Sequence, residues 1–337
     1  MTRKRTENIK GKEDRDYCVC IRTLGKAGEK YQVLLDSLKR QTVQPKKILV
    51  YIPYGYDLPK ETIGVEQYVR CEKGMVYQRS LPFDEVDTNW ILFLDDDVYM
   101  EDDAVESLFS GLEAGHGDAI SANVFRVQEA GWLEKLKAAM VFTFPRFDDG
   151  WAIKLWRNGS HTYNSNPTRP VLPSQSAAGP TLLVRKKAFQ SIHYSDERWM
   201  DAFRYPLGED MALAYKLYLY GYRLLVHYGA GCVHLDAKTG NETNSLERFR
   251  IVQTVWLVRW YRIFYNLKHS TWKSKVLAVA SYSLRELWTF FFGALSRSIK
   301  NHDIKFILVF FEKYKKGYDF IHSKAFRSLP RYDEYLE

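Results

Sequence analysis

Apolar residues alternate along this chain between two rhythms. Short apolar runs at 17–21, 48–52 and 90–94 and a shorter stretch near 67–71 read as strands, the run at 90–94 as one buried on both faces of a sheet. Between them the spacing becomes helical: Tyr31, Leu34, Leu35 and Leu38 share one side, while Lys30, Asp36, Lys39 and Arg40 fall largely on the other. A second helical segment is expected at 75–80 and a third, with acidic residues in its first turn, at 101–112. Strand, helix and strand in thirty-odd residues is the unit of a parallel sheet, which needs such a crossover.

Further on, the pattern predicts a β-like stretch at 118–126, a helix at 131–142 and an apolar strand within 175–184. Residues 147–173, rich in Gly, Asn, Pro and aromatics without a clean period, read as loops shaping an acceptor pocket. Gly208-Glu209-Asp210 opens a helix with Met211, Ala214, Tyr215 and Tyr218 on one side and Gly221 as its stop. A strand at 222–226 and a short segment ending in His234 follow. Beyond residue 244 the composition turns basic and aromatic, with a long helix at 246–267. The segment 276–295 approaches membrane-spanning length, but Arg285 and Glu286 at its centre favour an amphipathic or core helix.

Composition adds three constraints. With 337 residues and 46% hydrophobic content the chain can bury a sizeable core, as one large domain or a domain with an appendage. A net charge of +8 points to an anionic partner: nucleotide phosphate, nucleic acid or an acidic membrane surface. Cys18, Cys20, Cys71 and Cys232 lack the spacing of a structural zinc site, and Cys18 and Cys20 alternate onto one strand face as small hydrophobes. The opening sixteen residues are charged and carry no apolar leader core, so a disordered tail and a cytosolic, reducing location are expected.

The candidate chemistry begins where the apolar run 90–94 stops at Asp95, Asp96 and Asp97. Three carboxylates at the C-terminal edge of a central strand can hold a divalent cation against a phosphate-bearing substrate. An acidic turn that merely ends the strand is the plainer alternative. Glu209 and Asp210 lie at a helix N-terminus, where the dipole favours their charged form. His234 follows a strand and can face the same crevice as Asp97.

These pieces occur in a fixed order: LLDSLKRQTVQPKKILV, EKGMVYQRS, FLDDDVYM, AAGPTLLVRKKAF, LGEDMALAYKLYLYGYRL and CVHLD. In that order they resemble an inverting glycosyltransferase of family 2, over about residues 17–236. The resemblance implies a GT-A fold: an α/β architecture with a mixed, mainly parallel central sheet, flanking helices and a Rossmann-like nucleotide-binding half. Residues 17–244 would form that domain and 245–337 a C-terminal helical region docking at a membrane or acceptor.

The resemblance also implies roles. The donor would be a nucleoside-diphosphate sugar, a UDP-sugar by preference, used in a hexosyl or N-acetylhexosaminyl transfer to a glycan or lipid-linked acceptor. Asp95 and Asp96 would serve the donor nucleotide with Thr23, Gly74 and Arg79. Asp97 and His234 would hold Mn²⁺ or Mg²⁺, and Asp210 would be the general base beside Glu209. One departure stands out: the second strand ends in Tyr51, Pro53 and Tyr54 without the family's base-reading carboxylate, and Asp57 is only a loose substitute. A non-catalytic nucleotide- or glycan-binding protein on the same fold is the alternative. The basic, aromatic C-terminal region could stack nucleic acid, but it suits a membrane interface better, at the cytoplasmic face, and no nucleic-acid partner is expected.

Overall fold

The computed structural model describes residues 15–124, 131–133, 136, 150–164, 166–236 and 245–336. The proposed N-terminal tail and most of the helix expected at 131–142 lie outside them. The early strands form as their composition demands: β1 Tyr17–Arg22, β2 Lys47–Pro53, β3 Glu66–Cys71 and β4 Trp90–Asp95. Helix α1 Glu29–Lys39 links the first two, and α2 Met75–Arg79 precedes β4. A tight turn leads to β5 Val98–Met100, then α3 Ala104–Gly115 and β6 Ala119–Ala122.

The stretch expected to be loops contains three short strands instead, β7 Ile153–Leu155, β8 His161–Tyr163 and β9 Val171–Pro173. Each is three residues long, too short to show a period of two, and each exists because of its partner across the ladder. Then come β10 Thr181–Arg185, α4 Lys186–Ser191, a 3₁₀ segment Tyr194–Ala202, α5 Glu209–Leu219, β11 Leu224–His227 and β12 Cys232–His234. The C-terminal quarter is helical: α6 Ser245–Trp260 ending in a π turn Tyr261–Tyr265, α7 Trp272–Trp288 with a π segment Thr289–Leu295, α8 Ser296–Asn301, α9 Lys305–Ile321 and α10 Lys324–Arg327.

The main sheet has eight strands in the order β3-β2-β1-β4-β10-β6-β11-β9. Within it β1, β2, β3 and β4 are mutually parallel, β6 and β11 are parallel to each other, and β10 runs antiparallel between β4 and β6. Alternate residues of β1 and β4 enter opposite cores, Cys18, Cys20, Ile91 and Phe93 on one face and Val19, Ile21, Leu92 and Leu94 on the other. This is the two-sided burial that continuous apolar strands predict. Helices α1 and α3 cover the second face, while Val258, Trp260, Tyr282, Phe326 and Tyr332 of the C-terminal region share the first core with α5. The four cysteines are free and buried.

Helix α5 is buried all round rather than on one side, and Lys216 is fully enclosed. Its ammonium lies 3.1 Å from Glu197, whose carboxylate also accepts from Arg262 of the C-terminal π turn at 3.0 and 3.1 Å. A buried charge survives only when paired in this way. Burial would raise the Glu197 carboxyl, but Lys216 and Arg262 more than offset it and hold it down to about 2. Since the folded-state value lies below the unfolded one, Glu197 stabilises the fold above the ordinary carboxyl range, and that contribution is lost as pH falls toward about 2. Urea unfolding midpoints should therefore drop across this acid window, and Glu197→Gln should flatten the drop. A mutant as acid-sensitive as the native chain would refute this role.

Candidate active site

The parallel register of β1 and β4 sets Arg22 opposite Asp95. The Arg22 Nε donates to Asp95 Oδ1 at 2.8 Å and its second amino group meets Glu209 Oε1 at 2.9 Å. Arg79, in the last turn of α2, completes the unit. One of its amino groups lies 2.9 Å from both Glu209 oxygens, and the other donates to Asp95 Oδ1 at 3.0 Å and to the Gly179 carbonyl at 2.8 Å. Burial would raise the Asp95 carboxyl, but the two guanidinium charges prevail and hold it below its usual value. Arg79 and Glu209 are nearly sealed from solvent, so both face each other rather than open space.

The next two aspartates turn elsewhere. Thr23 donates its hydroxyl to Asp96 Oδ2 at 2.5 Å, and burial with the neighbouring Asp97 and Asp95 charges pushes Asp96 up to about 6 against that bond. The β12–β5 pairing sets His234 opposite Val98 and brings its Nε2 to 3.1 Å from Asp97 Oδ1. That contact with Asp97 raises the His234 imidazole above its ordinary value. Among the described residues no group of three or more His, Cys, Asp or Glu side chains could hold a metal. Asp97 and His234 are the adjoining oxygen and nitrogen donors that could contribute to holding a divalent ion.

Gly74 precedes α2 in extended conformation, and a Cβ there would lie 2.4 Å from Asp201 Oδ2. The close approach it permits is to that carboxylate, which accepts from the Val76 and Tyr77 amides at 3.0 and 2.7 Å. Asp57 is exposed in the loop after β2.

Asp210 follows Glu209 in the first turn of α5 and accepts from the Met211 amide at 2.8 Å. The Gly179 backbone packs on it so closely that a Cβ would sit 3.2 Å from Asp210 Oδ2. Tyr163 of β8 is pushed up to about 12, chiefly by burial and secondly by the Asp210 charge. On the C-terminal side Arg259 of α6 donates to the Leu207 carbonyl, two residues before the α5 start. Burial and the neighbouring Arg285 lower it to about 10, with Asp210 opposing, and burial with both arginines lowers His161 to about 4.

Three contact groups thus meet at residues 95–97: Arg22 and Arg79 with Asp95 and Glu209, Thr23 with Asp96, and His234 with Asp97, while Asp210 is next along α5 and Gly74 is set against Asp201. Sequence reasoning missed Arg22, Asp201, Tyr163 and Arg259. Only Arg22 carried a signal, since it directly precedes Thr23 at the end of a strand parallel to the aspartate strand.

A family model described as glycosyl transferase family 2 matches residues 64–190, a span that includes the aspartate motif, Gly74 and Arg79. Residues 64–190 are similar to glycosyl transferase family 2. Solved structures of similar shape agree with a GT-A fold. S. aureus TarS 1–349 aligns with 92% of this chain and 82% of its own at 13% identity and a TM-score of 0.50. TarS 1–349 in complex with UDP-GlcNAc gives 0.51 over the same shares. GalNAc-T7 with UDP, GalNAc and Mn²⁺ gives 0.50 at 14% identity, over 86% of this chain and 58% of that one. No curated protein matches. The glycosyltransferase reading therefore rests on the family match, and the shape likeness establishes the fold.

Proposed function

We propose that this glycosyltransferase moves a hexosyl or N-acetylhexosaminyl group from a UDP-sugar to a glycan or lipid-linked carbohydrate acceptor, with inversion at the anomeric carbon. The observation that carries the reading is Arg79, which binds Asp95 with one amino group and Glu209 with the other. Through it the aspartate motif and the start of α5 form one rigid unit. That link supports a scheme in which the leaving-group end and Asp210 keep a set spacing, as a displacement between two substrates requires.

In the reaction the acceptor oxygen forms the new bond to the anomeric carbon while the sugar–phosphate bond breaks and its electrons leave with UDP. Asp210 takes the acceptor's hydroxyl proton. Thr23, Asp95 and Asp96 line the nucleotide end, with Gly74 shaping the α2 turn beside it. Arg79 and Glu209 are positioning residues in this scheme. Asp97 and His234 would hold Mn²⁺ or Mg²⁺, which when bound neutralises charge on the diphosphate. The C-terminal helices would bring the enzyme to its acceptor.

A thermal-shift series tests the donor half. Saturating UDP-GlcNAc with Mn²⁺ should stabilise the chain by about 2.7 kcal/mol at a hundredfold excess over Kd. Asp97→Ala should lose the Mn²⁺-dependent part. No shift with any nucleoside-diphosphate sugar would overturn the reading, and donor binding without turnover on any acceptor would favour the non-catalytic alternative.

A further inference from the structure

The C-terminal helices leave an apolar face without a partner. On α7 and its π extension Leu277, Leu284, Leu287 and Phe291 are about half exposed, at steps of seven, three and four. At 100° per residue this stripe lies about 140° around the helix from the buried Ala278, Tyr282 and Arg285. Helix α9 repeats the arrangement, with Leu308 and Phe311 exposed opposite the buried Phe306, Val309 and Phe310. Phe290 touches both Phe291 and Phe311, at ring separations of 5.3 and 5.7 Å, so the two stripes make one surface.

Charge identifies what covers it. Residues 245–337 contain 17 Lys and Arg against 8 Asp and Glu, while residues 1–244 contain 32 against 33. The entire positive excess of the chain therefore lies in the region that carries the apolar face. Lys273 caps the α7 stripe and Lys315 lies on the α9 stripe, both exposed or nearly so. Two copies packed face to face would press two regions of the same net positive charge together, which like charges oppose. Among the described residues no helix is long and apolar enough to cross a membrane.

We propose that the α7–α9 face is an in-plane anchor for an anionic lipid bilayer, its leucines and phenylalanines entering the headgroup boundary and its lysines meeting lipid phosphate. This deepens the acceptor-docking part of the proposed function by naming the partner. Vesicle binding needs neither donor nor turnover, so its failure would leave the chemistry at Asp210 standing.

The test is sedimentation of the full chain with phosphatidylcholine vesicles, with and without phosphatidylglycerol. The chain should pellet with the anionic vesicles and be released by high salt. Leu287→Glu with Phe291→Glu should reduce the bound fraction on the order of tenfold, with an unchanged thermal midpoint because both side chains face outward. Equal pelleting of native and double-mutant chains would overturn the proposal. So would a vesicle-indifferent dimer in sedimentation velocity that the double substitution dissociates, which would assign the face to a second copy.

Discussion

Asp210→Asn should lower turnover by about 10²–10⁴-fold, the usual contribution of a positioned general base, while the thermal midpoint stays near that of the native chain. The substitution keeps the shape of the side chain. An asparagine oxygen can still accept from the Met211 amide, as Asp210 does at 2.8 Å, and the tight packing of Gly179 on this side chain is preserved. What disappears is the capacity to take a proton. The loss should therefore fall on kcat rather than on donor affinity, measured as UDP release under saturating donor. Undiminished kcat would remove Asp210 from the mechanism.

Glu209→Ala should behave oppositely, acting on the fold before the chemistry. Its carboxylate is the acceptor for Arg79 and, at 2.9 Å, for Arg22. Deleting one partner of a buried ion pair strands the others, at a cost of about 3–5 kcal/mol. Asp95 would remain to share both guanidinium groups, so the chain should still fold, with a much lower urea midpoint. Glu209→Gln retains an oxygen acceptor and should lose less. A loss below about 1 kcal/mol for the alanine variant, as at an exposed pair, would show that the network contributes little.

The legible parts of this molecule were those governed by local pattern. Continuous apolar runs bounded by polar residues located β1, β2 and β4, because a strand buried on both faces has no polar side to disguise it. The aspartate motif was legible for the same reason: the run stops abruptly at Asp95. Residues whose role depends on distant partners were not. Arg79 read as a phosphate or base donor because nothing in its neighbourhood announces Glu209, 130 residues away. Lys216 carries no local signal of its burial, since its enclosure depends on Glu197 and on a C-terminal turn. Arg259 lies in a region assigned to docking, yet its guanidinium reaches Leu207, two residues before the α5 start. The hairpin β7–β8 was hidden by its brevity.

Strand β10 has a consequence for how the chain is made. It inserts between β4 and β6, and the ladder partners of β6 are β10 and β11, both later in the chain. During synthesis β1 to β4 can pair as soon as they emerge, whereas β6 must wait about sixty residues for its first neighbour. Until then one edge of β4 and both edges of β6 offer unpaired amides and carbonyls, the template that sheet-to-sheet aggregation exploits. A nascent chain stalled before residue 181 should thus need chaperone protection that the finished chain does not.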